Sequence, residues 1–230
     1  MAFKPTDTWL SIHLHSQTSR EGELLGVLAA RKLAGLGCCE IEPGLSEAEF
    51  DRIEREFGVE FADDHRAFLA TGLPVWEEPD PDNTWENPWP DWRNGDPDQL
   101  RWHLNWEVDF LIEDVERGHW TPWWGPRPDD PEQAVEAARQ VLARAPRIVP
   151  VYAHRFLPAG RGTFGHPVLS MWCSDIICYG FDLAHYIDLE FVGAPEDEVE
   201  WASSDVVVPF WRDYVAWNER SRPDGRTLLS

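Results

Sequence analysis

The sequence predicts an α+β fold. Three observations carry that expectation. Several segments show helical periodicity between clear start and stop signals. Two short apolar runs meet at a tight turn, as in an antiparallel hairpin. No regular strand–helix–strand alternation and no internal repeat runs through the chain.

The elements follow in order. Trp9–His15 alternates in part and reads as a strand. Glu23–Leu36 reads as a helix, with Leu24, Leu25, Leu28, Ala29 and Leu36 apolar and Gly35 and Gly37 as stops. A capping box at Ser46 and Glu49 opens the next helix, with Leu45 and Phe50 at hydrophobic-staple positions. Phe50, Ile53 and Phe57 line one face of it, and Gly58 ends it. A short helix over Asp63–Thr71 follows, Phe68 and Leu69 inward, closed by Gly72 and Pro74. Residues 76–98 contain Pro79, Pro81, Pro88, Pro90 and Pro97, a density that no regular element survives. Val108–Ile112 reads as a strand, and Gly118–Pro128 as another loop. Asp130 as N-cap, Pro131 at N1 and Gln133 open a helix with Val135, Ala138, Val141 and Leu142 as its stripe and Pro146 as its end. Ile148–Phe156 reads as one strand, where Pro150 marks an edge or irregular position. Val168–Trp172 and Ile176–Tyr179 flank the Cys173-Ser174-Asp175 turn. Asp182 caps a helix with Leu183, Ile187 and Phe191 on one face. Residues 194–205 form an acidic loop, and Val206–Trp217 packs back as strand or helix.

Nine of the fourteen tryptophans fall between Trp76 and Trp124, together with thirteen carboxylates and only Arg93, Arg101 and Arg117 to oppose them. Indoles resist exposure and carboxylates resist burial, so a stretch rich in both predicts a docking surface. The expected anchors are Trp85, Trp89 and Trp92, with Glu86 and Asp91 beside them. Asp114, Glu116 and Trp124 extend the same partner-binding set. The formal charge is −22, from 42 acidic and 20 basic residues. That excess repels nucleic acid and anionic membranes and favours a basic protein partner. Four cysteines make no disulfide scaffold, Met1–Ser16 lacks a secretory pattern, and no run is long and apolar enough to span a membrane. A cytoplasmic protein is expected.

Signals for chemistry are weak. His13 and His15 share one side if their segment is a strand, but a metal needs a further ligand. Cys173 and Cys178, paired with the vicinal Cys38 and Cys39, make a poor zinc set. His154 and His166 could approach Cys173 as bases for a thiol nucleophile. Asp80, Asp82 and Asn83 lack the glycine and terminal glutamate of a calcium loop. Asp114 and Glu116 share one side if their segment is extended; beside tryptophans, such a pair could bind or cleave a glycan. No hydrolase, P-loop or dinucleotide motif is present. No catalytic centre, metal or other cofactor is expected from these residues.

Five pieces in sequence order carry a family resemblance: Gly44–Pro74 (GLSEAEFDRIEREFGVEFADDHRAFLATGLP), Pro90–Arg93 (PDWR), Trp124–Pro128 (WGPRP), Val149–Pro158 (VPVYAHRFLP) and Gly165–Phe191 (GHPVLSMWCSDIICYGFDLAHYIDLEF). In this order they resemble bacterial members of the SUKH superfamily, which includes SMI/KNR-type cell-wall assembly regulators. Ala62 stands where the family usually has proline, and Thr71-Gly72 replaces a common Asn-Gly. The length of 230 residues fits a single 1–230 domain; the resemblance covers a core over 44–192, and the extension over 1–43 and the tail over 193–230 have no clear counterpart in the family. The resemblance implies a twisted, mainly antiparallel sheet with helices packed on it, and no catalytic centre. It further implies a protein-binding role, most concretely an immunity protein that neutralises a basic, nuclease-type toxin. A glycan-binding or glycan-cleaving protein and a regulatory scaffold are the alternatives.

Overall fold

The computed structural model describes residues 7–75, 85, 87–193 and 207–221. Among them are seven α-helices and two antiparallel sheets, an α+β fold. Helix α1 runs Asp7–Leu36, so the expected strand at residues 9–15 is instead its first half. Strand β1 (Glu40–Pro43) follows, then α2 (Glu47–Phe57) and α3 (Asp63–Thr71), which leads into β2 (Gly72–Val75). Strands β1 and β2 pair antiparallel, from Glu40 opposite Val75 to Pro43 opposite Gly72.

The caps of α2 form as its sequence dictates. The Ser46 hydroxyl accepts from the Glu49 amide, the Glu49 carboxylate accepts from the Ser46 amide at 2.7 Å, and Gly58 takes the left-handed conformation. Phe50, Ile53 and Phe57 point inward as expected.

Helix α1 buries a different face from the one its leucines suggest. Leu24, Leu28 and Leu36 are exposed, while Gly22, Gly26, Ala29, Ala30 and Leu33 are buried. This small-residue stripe lets α1 approach α3 closely. A Cβ on Gly26 would lie 2.0 Å from the Asp64 carbonyl oxygen and 2.8 Å from the Ala67 Cβ.

The larger sheet is a meander of β3 (Ile148–Tyr152), β4 (Arg155–Pro158), β5 (Leu169–Trp172) and β6 (Asp175–Cys178). The expected single strand over 148–156 is therefore the start of a hairpin that turns at Ala153 and His154. Pro150 lies in the edge strand beside an irregularity in register, where its missing N–H costs least. The β5–β6 hairpin closes with Trp172 opposite Asp175. Both faces of this sheet are covered. Val149, Val151 and Leu157 join α1, α2, α3 and α6 (Leu183–Val192) in one core cluster. Phe156, Leu169, Met171 and Ile176 join α4 (Pro97–Glu116), α5 (Pro131–Leu142) and α7 (Trp211–Ser221) in the other.

Helix α4 replaces the strand expected at Val108–Ile112. Asp96 accepts hydrogen bonds from the amides of Asp98 and Gln99, and Pro97 opens the first turn. The alternation of Val108, Phe110 and Ile112 is overridden by the helical spacing of Leu100, Leu104, Leu111 and Val115, all buried. The segment Val206–Trp217 resolves into the helix α7 from Trp211 onward. No helix among the described residues is long and apolar enough to cross a membrane.

Candidate functional site

The three expected anchors turn inward. Trp85, Trp89 and Trp92 are 5, 3 and 1 % exposed, which corrects the expectation that they form an exposed face. Trp92 meets Phe61 and Phe57 edge-on at 5.3 and 6.0 Å, and Trp89 stacks on Phe191 at 5.5 Å. Trp85 sits among His103, Trp106 and Trp102 at 4.6, 4.5 and 5.5 Å. A proline-rich segment cannot fasten itself through a regular ladder of backbone bonds, so side chains hold it.

Arg93, one of the three cations between Trp76 and Trp124, completes the fastening. Its guanidinium donates to the carboxylates of Glu49 (2.6 Å) and Glu42 (2.9 Å) and to the carbonyls of Pro43 and Gly44. That bond to Arg93, helped by Ser46, holds the Glu49 carboxyl down at about 2. Asp91 has a local role: its Oδ1 accepts from the amides of Arg93 and Asn94 and shapes the turn. Glu86 lies outside the described residues.

Between this loop, Val75 and the start of α4 lies an open cleft of about 680 Å³. Trp85, Trp89 and Trp102 wall it, His103 lines it, and Asp91 and Asp96 contribute acid groups. Its frame is tied across three elements. The His103 Nε2–H donates to the Ala153 carbonyl at 2.6 Å, and the Ala153 amide donates to the Pro88 carbonyl at 2.7 Å. Ala153 is held at φ 45°. Burial pushes His103 down to about 4, so the ring is a neutral wall at pH 7.

The exposed aromatic surface lies next to this cleft, on α4. Asp98, Trp102, Trp106, Asp109 and Glu113 follow i, i+4, i+8, i+11 and i+15 spacing and form one stripe of the helix. Trp102 is 51 % exposed, and Trp172 from β5 is 43 % exposed. Trp106 bridges them, with ring centroids 4.8 Å from Trp102 and 5.7 Å from Trp172. Rings and carboxylates therefore do share an exposed face, but on residues that the sequence reading had not selected. The Asp96-Pro97 start signal could have revealed it, since it matches the Asp130-Pro131 pair read correctly for α5.

The remaining candidates scatter. On a helix, Asp114 and Glu116 point about 200° apart, so they form no carboxylate pair. Asp114 is half-buried beside Arg117, and Glu116 is exposed. Trp124 is half-buried, its ring edge-on to Trp120 at 5.4 Å. His13 and His15 lie in the helical segment, so the strand premise that joined them fails. None of the four cysteines takes part in a disulfide. Burial, then Asp114 and Glu107, raise the Cys173 thiol, which opposes formation of a nucleophilic thiolate. Asp80, Asp82 and Asn83 lie outside the described residues, and no cluster of metal-ligating groups occurs among the described ones. In comparisons with known proteins, no family model, curated protein or solved structure matches the chain.

Proposed function

We propose that the chain is a non-catalytic binding module for a positively charged protein, most concretely an immunity protein for a basic, nuclease-type toxin. The observation that carries this reading is the α4 face: Trp102 and, beside it, Trp172 stand exposed among Asp98, Asp109 and Glu113, next to an open cleft. An exposed indole gains from being covered, and it supplies a large contact area with few rotatable bonds. The surrounding carboxylates, within a net charge of −22, speed encounter with a cationic partner and disfavour anionic ones. The resemblance to SUKH immunity proteins supplies the class of partner.

Co-purification from the native host tests the reading, followed by reconstitution with the basic protein recovered. The double variant Trp102→Ala, Trp172→Ala should weaken that complex at least about tenfold. Asp109→Asn with Glu113→Gln should mainly slow association, and less so at high salt. Absence of any basic partner at low salt, or a complex indifferent to both pairs of changes, rejects the proposal.

A further inference from the structure

A second cavity, of about 230 Å³, lies at the other end of α4 and shares no lining residue with the cleft. Its walls come from the turn after α4 and from α7. The Trp123 ring stands nearly perpendicular to Tyr214 (85°, centroids 4.9 Å) and at 51° to Trp217 (5.8 Å). Trp120 lines the same space, its ring held by an indole N–H bond to the Gly125 carbonyl at 2.7 Å. Each ring thus packs at an angle against its neighbour, and all four line the same space. The Asn218 amide fixes α7 to the hairpin turn through the carbonyls of Ser174 and Ile176, so the frame is preformed. Trp217 is 44 % exposed, an outer wall whose ring is only half covered.

One carboxylate lines this cavity, that of Asp114. Arg117 pairs with it at 3.6 Å and with Glu113 at 2.8 Å, so one guanidinium is shared between two carboxylates. Ring faces carry negative potential, and several rings around one carboxylate favour a cation that sheds its water easily. Alkylated ammonium groups meet that requirement; a bare ammonium keeps its water more strongly. The volume falls below the roughly 300–1,000 Å³ of whole-ligand pockets and suits a single head group.

We infer that this cavity is a cage for an alkylated ammonium group, with Trp120, Trp123, Tyr214 and Trp217 as aromatic walls and Asp114 as counter-charge. Calorimetric titration of the full chain tests it, using tetramethylammonium, choline and 3,3-dimethylbutan-1-ol, the neutral mimic of choline. Choline should bind at least about tenfold more tightly than the neutral mimic. Trp217→Ala, with folding checked by circular dichroism, should weaken binding about tenfold, and Arg117→Gln should tighten it. A peptide carrying trimethyllysine distinguishes the sources: tighter binding than choline assigns the cage to a methylated protein, weaker binding to a small molecule or lipid head group. Equal affinity for the neutral mimic, no saturable binding of tetramethylammonium, or indifference to Trp217→Ala overturns the inference.

Discussion

Trp92 and Trp102 are close in sequence, yet the first is 1 % exposed and the second 51 %. The loop around Trp92 has no regular backbone pairing, so it is fixed by what its side chains can grip. Trp89 and Trp92 enter the core built by α2, α3 and α6, and Arg93 clamps the outside against β1 and α2. Helix α4 satisfies most of its own backbone groups, which frees its side chains from that duty. Leu100, Leu104 and Leu111 face the core and Trp102 faces away, while Trp106, on the Trp102 side, is covered by Trp85 and Trp172. Local density of tryptophan therefore says that a region is tightly held or able to dock, and not which. Helix α4 also carries two buried ionisable groups in contrasting states: His103 has a carbonyl partner, whereas both oxygens of Glu107 lack a hydrogen-bond partner among the described residues.

Three measurements press on this contrast. The largest effect should come from the pegs. Trp92→Ala removes a ring packed on Phe57 and Phe61 and should cost about 3–5 kcal/mol in urea denaturation. Trp102→Ala should cost less than about 1 kcal/mol in the same assay. Equal costs would erase the distinction between a loop held by its rings and a helix that merely carries them.

A second contrast lies in pH. Burial lowers His103 from its ordinary 6.5 to about 4. Below pH 6.5 the unfolded chain takes up a proton that the folded ring refuses until about 4, so stability is lost as pH falls through that window. The share due to His103 is about 3 kcal/mol. His65, lowered to about 3, acts in the same direction, and Asp64, raised to about 6, opposes it between its ordinary 3.8 and that value. The difference between wild type and His103→Gln isolates the one ring. Its pH slope should be flatter in the variant, and an unchanged slope would show that the ring is protonated alike in both states.

The smallest expected effect has the opposite sign. Burial, then Asp114 and Asp175, raise the Glu107 carboxyl well above its ordinary 4.5. Above pH 4.5 the unfolded chain releases a proton that the folded carboxyl keeps, so Glu107 destabilises the fold increasingly as pH rises toward its folded value. Glu107→Met should therefore raise stability by about 1–3 kcal/mol at pH 7, less near pH 4.5. A loss of stability would mean that the carboxyl is satisfied where it lies.

Much of the fold was legible where its causes are local. The capping box at Ser46 and Glu49, the Asp130-Pro131 and Asp182 starts, the Gly58 stop and the β5–β6 hairpin all rest on neighbouring residues, and each stands where the spacing puts it. The pairing of β1 with β2 was not legible, because its partners come from segments separated by two helices. In α1 the leucines outweighed the glycines in the reading, yet only glycine lets α3 come so close. The candidate site was half legible. The acidic, aromatic stretch was marked, but the exposed rings proved to be Trp102 and Trp172, in place of Trp85, Trp89 and Trp92.

By itself the sequence determined where most helices start and stop, the sign of the protein's field and the abundance of indole. Only the tertiary structure decided which indoles face water. Caps, turns and charge depend on residues within a few positions of one another. Burial depends on which distant surfaces meet, and local spacing does not encode that meeting.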